Sequence, residues 1–368
     1  MAPPPTRAAG EGSGARLDPR PDAPAGAPRR PQPALLASKR RRTAGLVVAL
    51  ALLLACVMAS LALGALDIAP ADVIAAFTAF DDSRQHVIVT ELRLPRTLVG
   101  LLVGAALGAS GALLQGLTRN PLADPGILGI NAGAAFAVVV AIYLLGVSSV
   151  FAYAWFALAG AAATGVLVYA LGASGRDGAT PIKLALAGVV LGALLTSLTS
   201  ALLVFDTKTL DTFRFWIVGS IAGRDLGVAG AVAPFIGVGL AVALVCGRWL
   251  NALALGEDVA RSLGQRVGLV RLLCGAAVVL LAGGGVAAAG PIFFVGLTVP
   301  HVARGLVGND YRWIVPYSVV LGAILLIASD VLGRLIARPS ELQVGVVAAA
   351  LGAPFFIALV RRRRLAEL

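Results

Sequence analysis

The sequence predicts an all-α polytopic membrane protein with about ten transmembrane helices. Of its 368 residues, 58% are hydrophobic and 13% are charged, whereas about 25% of the residues in a typical soluble domain are charged. The chain also contains repeated apolar stretches of about 20 residues, the length that a helix needs to cross the hydrocarbon core of a bilayer. Its mean hydropathy of +0.90 indicates the same fold class.

Two basic tails flank the apolar part of the chain. Residues 1–42 carry nine Lys or Arg and three acidic residues, and residues 361–368 carry four Arg and one Glu. We interpret this charge as the cytoplasmic signal of a membrane protein and not as a nucleic-acid-binding surface. Both tails are therefore expected in the cytoplasm, which requires an even number of spans. The first tail is rich in Pro and Ala and is predicted to be disordered.

The transmembrane domain is predicted over residues 43–360. Its apolar segments place spans at about 44–66, 95–117, 127–146, 150–171, 184–205, 228–247, 271–289, 292–308, 313–336 and 344–360. The two segments beside Gly290–Pro291 could also form one broken helix. The long inner loop 251–270 has apolar residues at helical spacing, a pattern that fits either a membrane surface or the groove of a partner protein.

The sequence contains no constellation typical of catalysis or metal binding. A P-loop requires a lysine directly after a glycine, but the three lysines follow Ser38, Ile182 and Thr207. We therefore expect no ATP, Mg²⁺ or other cofactor to bind this chain. Ion-coupled transporters commonly keep acidic residues inside the bilayer; here Asp330 lies four residues before Arg334, which indicates a neutralising pair on one helix face.

Small residues form a stripe in the second predicted span. Gly100, Gly104 and Gly108 recur at four-residue steps, and such spacing lets helices approach closely in lipid. We interpret the stripe as a helix-packing surface.

The segment NPLADPGILGINAGA, residues 120–134, interrupts the apolar pattern. Pro121 and Pro125 cannot continue a helix, so they predict a turn at the inner face, followed by a short helix that contains Asn131. Irregular backbone near a membrane is tolerated where protein or water covers it. Asn120 and the residues that follow it can therefore line a cavity or form a tight loop.

At these residues the sequence resembles the permease subunits of type II ABC importers for iron–siderophore complexes, haem and cobalamin, the FecCD family. The matching blocks follow the family order: LRLPRTLVGLLVGAALGASGALLQGLTRNPLADPGILGINAGA (92–134), FRFWIVGSIAG (213–223), LALGEDVARSLG (253–264), GPIFFVGLTVPHVARGLVGNDYR (290–312) and SELQVGVVAAALGAPFF (340–356). The first tail lies outside the resemblance.

The resemblance implies the type II ABC importer permease fold with ten helices. It also implies a second permease subunit, identical or paralogous, with two cytoplasmic ATPases that bind ATP and Mg²⁺ and an extracytoplasmic binding protein. This chain would then be a non-catalytic subunit of the cell membrane, and FRFWIVGSIAGRD resembles siderophore permeases most. Haem or cobalamin is the alternative cargo, and an ion-coupled secondary transporter is the alternative from another class.

The resemblance also implies roles for particular residues. Arg93, Arg96 and Arg334 match arginines that receive acidic residues of the binding protein, and they are expected to be exposed. The inner loop matches the helices that couple the permease to the ATPases, through Leu255, Gly256, Glu257, Asp258, Arg261, Leu263 and Gly264.

Overall fold

The computed structural model describes residues 35–36, 38–174 and 180–361. Most of the two predicted tails, 1–42 and 361–368, lies outside these residues. The described part of the chain folds into fourteen α-helices: α1 (Lys39–Ala62), α2 (Pro70–Thr78), α3 (Arg84–Val87), α4 (Leu94–Thr118), α5 (Ile130–Leu145), α6 (Val150–Ala173), α7 (Pro181–Phe205), α8 (Thr207–Ile217), α9 (Leu226–Ala254), α10 (Glu257–Ser262), α11 (Val267–Ala289), α12 (Val295–Val307), α13 (Tyr311–Ile336) and α14 (Val344–Arg361). The all-α prediction is confirmed.

The membrane-spanning helices differ in length. Across the described residues, seven helical segments are long and apolar enough to cross a membrane, and one of them, Arg84–Thr118, joins α3, a π-helical segment and α4. Helices α5 and α14 are apolar but shorter, and α12 has only 13 residues. The ten predicted spans are consistent with this architecture. Gly290, at φ 76°, separates α11 from α12, so these are two helices and not one.

Helix ends meet at two opposite ends of the bundle. At one, which we call the α8 end, the amide of Ser220 donates to the carbonyl of Ala289 at 2.7 Å, close to α8. At the other, the α10 end, Asn251 Oδ1 accepts from the amide of Tyr311 at 2.7 Å. Helix α1 also starts at the α10 end, at Lys39, a few residues before the predicted boundary. The hydroxyl of Ser38 caps it by accepting from a main-chain amide at 3.3 Å.

Helix α4 lies at the centre of the bundle and packs against α9, α11, α12 and α13. Its glycine stripe faces the backbone of α13. A β-carbon added at Gly104 would lie 2.5 Å from the carbonyl oxygen of Gly322, and one added at Gly108 would lie 2.0 Å from that of Ser318. Neither position has room for a side chain, so the stripe sets the distance between α4 and α13.

The close approach of α4 and α13 predicts a stability difference between two glycines. Replacing Gly108 with Ala should destabilise the protein by about 1–3 kcal/mol, because the new methyl group overpacks the contact with α13. Gly237 of α9 is the control, since a β-carbon there would meet no atom within 4 Å. Both substitutions gain the same helix propensity, so the difference in thermal unfolding between the purified variants in detergent isolates the packing term. Equal stability of the two would contradict the prediction.

Candidate functional site

The irregular segment between α4 and α5 is built by its own side chains. Helix α4 ends at Thr118, and Arg119 takes the left-handed conformation at φ 50°. Asp124 Oδ1 then accepts from the amide of Gly126 at 2.8 Å, which caps a 3-10 helix at Pro125–Leu128. Gly129, at φ 72°, turns the chain into α5. A side chain rarely adopts that φ, which explains the glycine.

Only the start of this segment forms a turn at the face of the bundle, where Asn120 Oδ1 accepts from the amide of Leu122 at 2.9 Å just after the end of α4. A β-carbon added at Gly296, near the start of α12, would lie 3.2 Å from Cδ of Pro125 and 3.3 Å from the carbonyl oxygen of Leu107. Leu107 is in the middle of α4, so the segment reaches about half the depth of the bundle before α5 begins. The predicted turn is therefore followed by a re-entrant segment and does not lead directly into α5. Neighbouring helices cover its backbone, and α5 is short because it starts at this depth.

A cavity of about 590 Å³ opens where the two interrupted parts of the fold meet. We call it the interrupted-helix cavity. One wall contains residues 124–135, another contains Pro291 and Phe293 from the break between α11 and α12, and a third is formed by α7 and α8. Asn131 lines the cavity as the sequence suggested. Sequence analysis missed three hydroxyl side chains of α7 that also line the cavity, although they are polar residues within a predicted apolar span: Thr196, Thr199 and Ser200.

The other residues assigned to the pathway do not line this cavity. Gly104 and Gly108 pack on α13, as described above. Pro125 packs against Gly296. Asn120 lines a second cavity, which lies between α6, α7 and α11.

A narrow contact between α7 and the re-entrant segment lies beside the interrupted-helix cavity. A β-carbon added at Gly188 would lie 2.3 Å from the carbonyl oxygen of Ile127. Ile127 lines both this cavity and the second one. The Gly188–Ile127 contact therefore separates the two cavities along α7.

At the α10 end, two glycines shape the loop that was predicted to couple to a partner. Gly256 precedes α10 at φ 113°, and Gly264 follows it at φ 81°. Both conformations are strained for other residues. Ala260 is fully buried and anchors α10 against the ends of α9 and α11.

The charged residues of α10 are paired within the chain. Arg261 contacts Glu257 and Asp258, each at 3.2 Å. The second carboxylate oxygen of Glu257 pairs with Arg271 of α11. The Glu257–Arg271 pair holds α10 against α11, whereas both partners of Arg261, whose side chain is 58% exposed, belong to α10 itself.

The apolar residues of the same loop project outward. Leu255 is 67% exposed and Leu263 is 66% exposed, and the Asp258 side chain is almost fully exposed. Exposed leucines at both ends of a short helix form an apolar surface, which is typical of a site that another protein covers.

At the α8 end, buried charges tie three helices together. Arg96 of α4 donates to Asp330 of α13 at 2.7 Å and to Glu341 at 2.7 Å. Arg334 contacts the same Asp330 at 3.0 Å, which confirms the predicted pair, and donates to the carbonyl of Ser60 in α1 at 3.0 Å. One buried carboxylate thus serves two guanidinium groups.

The predicted exposure of the three arginines is wrong for this structure. Arg93, Arg96 and Arg334 are 7%, 9% and 2% exposed. Arg93 donates to the carbonyls of Leu61 and Leu66, which satisfies acceptors at and beyond the end of α1. Sequence reasoning missed these partners because they are main-chain atoms distant along the chain.

A further ion pair closes the α8 end. Arg338 contacts Asp67 at 2.6 Å. The side-chain hydrogen bond from Arg338, followed by the hydrogen bond from the amide of Gly64, holds the pKa of Asp67 below its usual range. The pair joins the loop after α1 to the loop after α13.

Comparisons with known proteins agree with this architecture. Residues 52–362 match the FecCD transport family. The chain is 46% identical over 317 residues to the Bacillus subtilis protein named "Probable siderophore transport system permease protein YfiZ", covering 86% of this chain and 95% of that protein. It is 44% identical over 314 residues to the ferric enterobactin transport system permease protein FepD of Escherichia coli, covering 85% and 94%.

A solved structure shows the same fold. The inward-facing conformation of a metal-chelate type ABC transporter superposes with a TM-score of 0.77 at 28% identity, covering 87% of this chain and 99% of that one. The family match extends over most of the chain, including all three walls of the interrupted-helix cavity and the α10 loop. This chain belongs to the FecCD transport family.

Proposed function

We propose that this chain is the permease subunit of an ATP-driven importer that carries a ferric siderophore into the cell. The observation that carries the proposal is the interrupted-helix cavity, which is formed by two breaks in apolar helices of a FecCD permease. The names of the relatives support the cargo, since they include siderophore and ferric enterobactin permeases. Haem and cobalamin are the alternative cargoes.

The cavity has the properties expected of a pathway for a bulky cargo. Short or Gly/Pro-interrupted segments of membrane transporters commonly mark the substrate route. The lining is mainly apolar with hydroxyl and amide groups, and Asp124 is the one ionisable side chain among the described lining residues. Such a lining provides few strong ligands, and a cargo must leave the pathway as readily as it enters.

The orientation follows from the charge of the tails. The α10 end is assigned to the cytoplasm, because α1 begins there after the basic tail and α14 ends there before the Arg-rich terminus. The α8 end then faces outward, toward the binding protein. Both termini are cytoplasmic in this arrangement.

The α10 loop is the proposed contact with the ATPase. Leu255 and Leu263 would enter an apolar cleft of that partner, while Asp258 supplies an exposed charge at its rim. Glu257 acts by holding α10 in place through Arg271, and Arg261 supplies a second exposed charge. Two ATPases bind ATP and Mg²⁺ outside this chain, and a second permease subunit, identical or paralogous, completes the pathway.

The arginines of the α8 end are proposed to act on the binding protein through Glu341. The Glu341 side chain is 37% exposed, whereas that of Arg96 is only 11% exposed. An acidic residue of the binding protein can therefore reach Arg96 by displacing Glu341. Arg93 and Arg334 hold the α1 and α13 ends that frame this position.

An ion-coupled mechanism fits the structure less well. Asp330 is a buried acid within a span, and it already neutralises Arg96 and Arg334, while Asp124 of the re-entrant segment is used to cap the 3-10 helix. A proton relay needs a carboxylate that can change its charge during transport. Protonating Asp330 would leave two guanidinium groups without their shared partner.

Replacing Leu263 with Ala should weaken the ATPase contact. A leucine that is fully buried in an interface contributes about 1.5–3 kcal/mol, so the affinity for the ATPase should fall by roughly tenfold or more. The affinity of the purified permease for its ATPase in detergent measures the effect, and ATP-dependent uptake in proteoliposomes should fall with it. Ser262→Ala is the control, because it removes an exposed hydroxyl from the same helix end, and the hydrogen bond lost with it is to the carbonyl of Val259 within α10. An unchanged affinity in the leucine variant would remove this loop from the interface.

Two carboxylates of the α8 end should differ in their effect on stability. Asp330→Asn leaves Arg96 and Arg334 buried without their shared carboxylate, and breaking a buried pair costs about 3–5 kcal/mol. Glu341→Gln removes a partly exposed partner, which costs about 0–1 kcal/mol. Thermal unfolding of the two variants checks the difference. A comparable loss in both would show that Asp330 is not the centre of the network.

A further inference from the structure

The second cavity is not used by the proposed transport pathway. It has a volume of about 530 Å³, which lies within the roughly 300–1,000 Å³ range of ligand sites. It lies between α6, α7 and α11, and the end of α4 closes its back. Most of its lining is aliphatic, including Leu272, Val279 and Leu280 of α11. We call it the α6–α7–α11 cavity.

The cavity is open at the side of the bundle. Ile182 is 81% exposed and Val166 is 69% exposed, and both line it. Its lining on α11 runs from Arg271 to Leu280, a rise of about 14 Å along a helix. That length is close to the roughly 15 Å hydrocarbon thickness of one leaflet. The cavity therefore has the depth and the chemistry of a groove for a single acyl chain.

One cationic side chain lines the cavity at its α10 end, and two others lie close to it along the chain. Arg271 lines it, Arg266 is exposed at the start of α11, and Lys183 lies between two lining residues of α7. The polar groups of Thr118 and Asn120 join them in the lining. Charge at one end and an apolar slot above it match the two parts of a phospholipid, whose phosphate attracts Arg and Lys near the membrane surface.

We propose that the α6–α7–α11 cavity binds an anionic phospholipid of the leaflet at the α10 end. One acyl chain fills the apolar slot, and the phosphate lies beside Arg271 and Arg266. The site is independent of the cargo, and only its assignment to the cytoplasmic leaflet rests on the orientation proposed above. Because Arg271 also pairs with Glu257 of α10, the bound headgroup would share a guanidinium with the loop that contacts the ATPase.

Gly275 offers a way to fill the slot. It lines the cavity, and a β-carbon added to it would meet no atom within 4 Å. Gly275→Phe therefore places a ring in the acyl-chain position without a clash at its first carbon. Gly237→Phe is the matched control, since it adds the same ring in open space on α9, outside the cavity.

The test uses the permease–ATPase complex in proteoliposomes that contain phosphatidylglycerol with a diazirine on one acyl chain. After illumination, mass spectrometry should locate the label on peptides of α7 and α11 that contain Ile182 and Leu272. Gly275→Phe should lower that label about tenfold, and Gly237→Phe should leave it unchanged. Label on these peptides no stronger than on lipid-facing α1, or unchanged by Gly275→Phe, would overturn the proposal.

A diacylglycerol with the same diazirine chain tests the headgroup. It should label α7 and α11 much more weakly than phosphatidylglycerol, because it has no phosphate for the cations. Equal labelling by both lipids would refute the charged part of the site. Contact of these peptides with a second copy of the chain, found by protein–protein cross-linking with no lipid label present, would show that another permease subunit fills the slot.

Discussion

The rest of the structure depends on one constraint, which is that a peptide group in the membrane must find a hydrogen-bond partner inside the protein. Pro300 lies inside α12 and has no N–H, so the carbonyl of Gly296 lacks its usual helical donor. The buried Gln115 of α4 supplies one, because its amide nitrogen lies 3.4 Å from that carbonyl oxygen and 3.2 Å from that of Leu297. Its amide oxygen accepts from Arg304. A single side chain of the central helix therefore makes a proline inside α12 tolerable at membrane depth.

The same constraint explains why the two breaks lie together. Two irregular segments that lie side by side leave a cavity between them. Small residues then let neighbouring helices cover the peptide groups that do not face the cavity. Gly111 of α4 approaches the carbonyl of Gly296, and Gly188 of α7 approaches that of Ile127. Close packing on one side of each break and a cavity on the other follow from the same choice of residues. A route through the membrane can thus form without an exposed peptide group facing lipid.

The sequence was sufficient to predict the membrane-spanning helices, but not their depth in the bundle or the pairing of their side chains. Apolar length located the spans, and the four-residue glycine spacing identified the packing face of α4, because both signals are local to one helix. The re-entrant position of Pro125 depends on its contact with Gly296, which packs beside the middle of α4, and no local pattern contains that contact. The burial of Arg96 depends on Asp330, which lies 234 residues away. Exposed and buried arginines look alike in a sequence, since the difference lies in whether a distant carboxylate reaches them.

Helix α7 borders both cavities of this fold. Both lie along the side of α7 that faces the bundle, and the glycines at 188 and 192 pack the helix closely on the re-entrant segment between them. Of the 18 residues in the apolar stretch of α7, 11% are buried, compared with 83% of the corresponding stretch of the segment that contains α4. A helix with few buried contacts costs little free energy to displace. On our proposals, the cargo passes on one side of the Gly188–Ile127 contact and a lipid binds on the other, so both contact the same weakly buried helix.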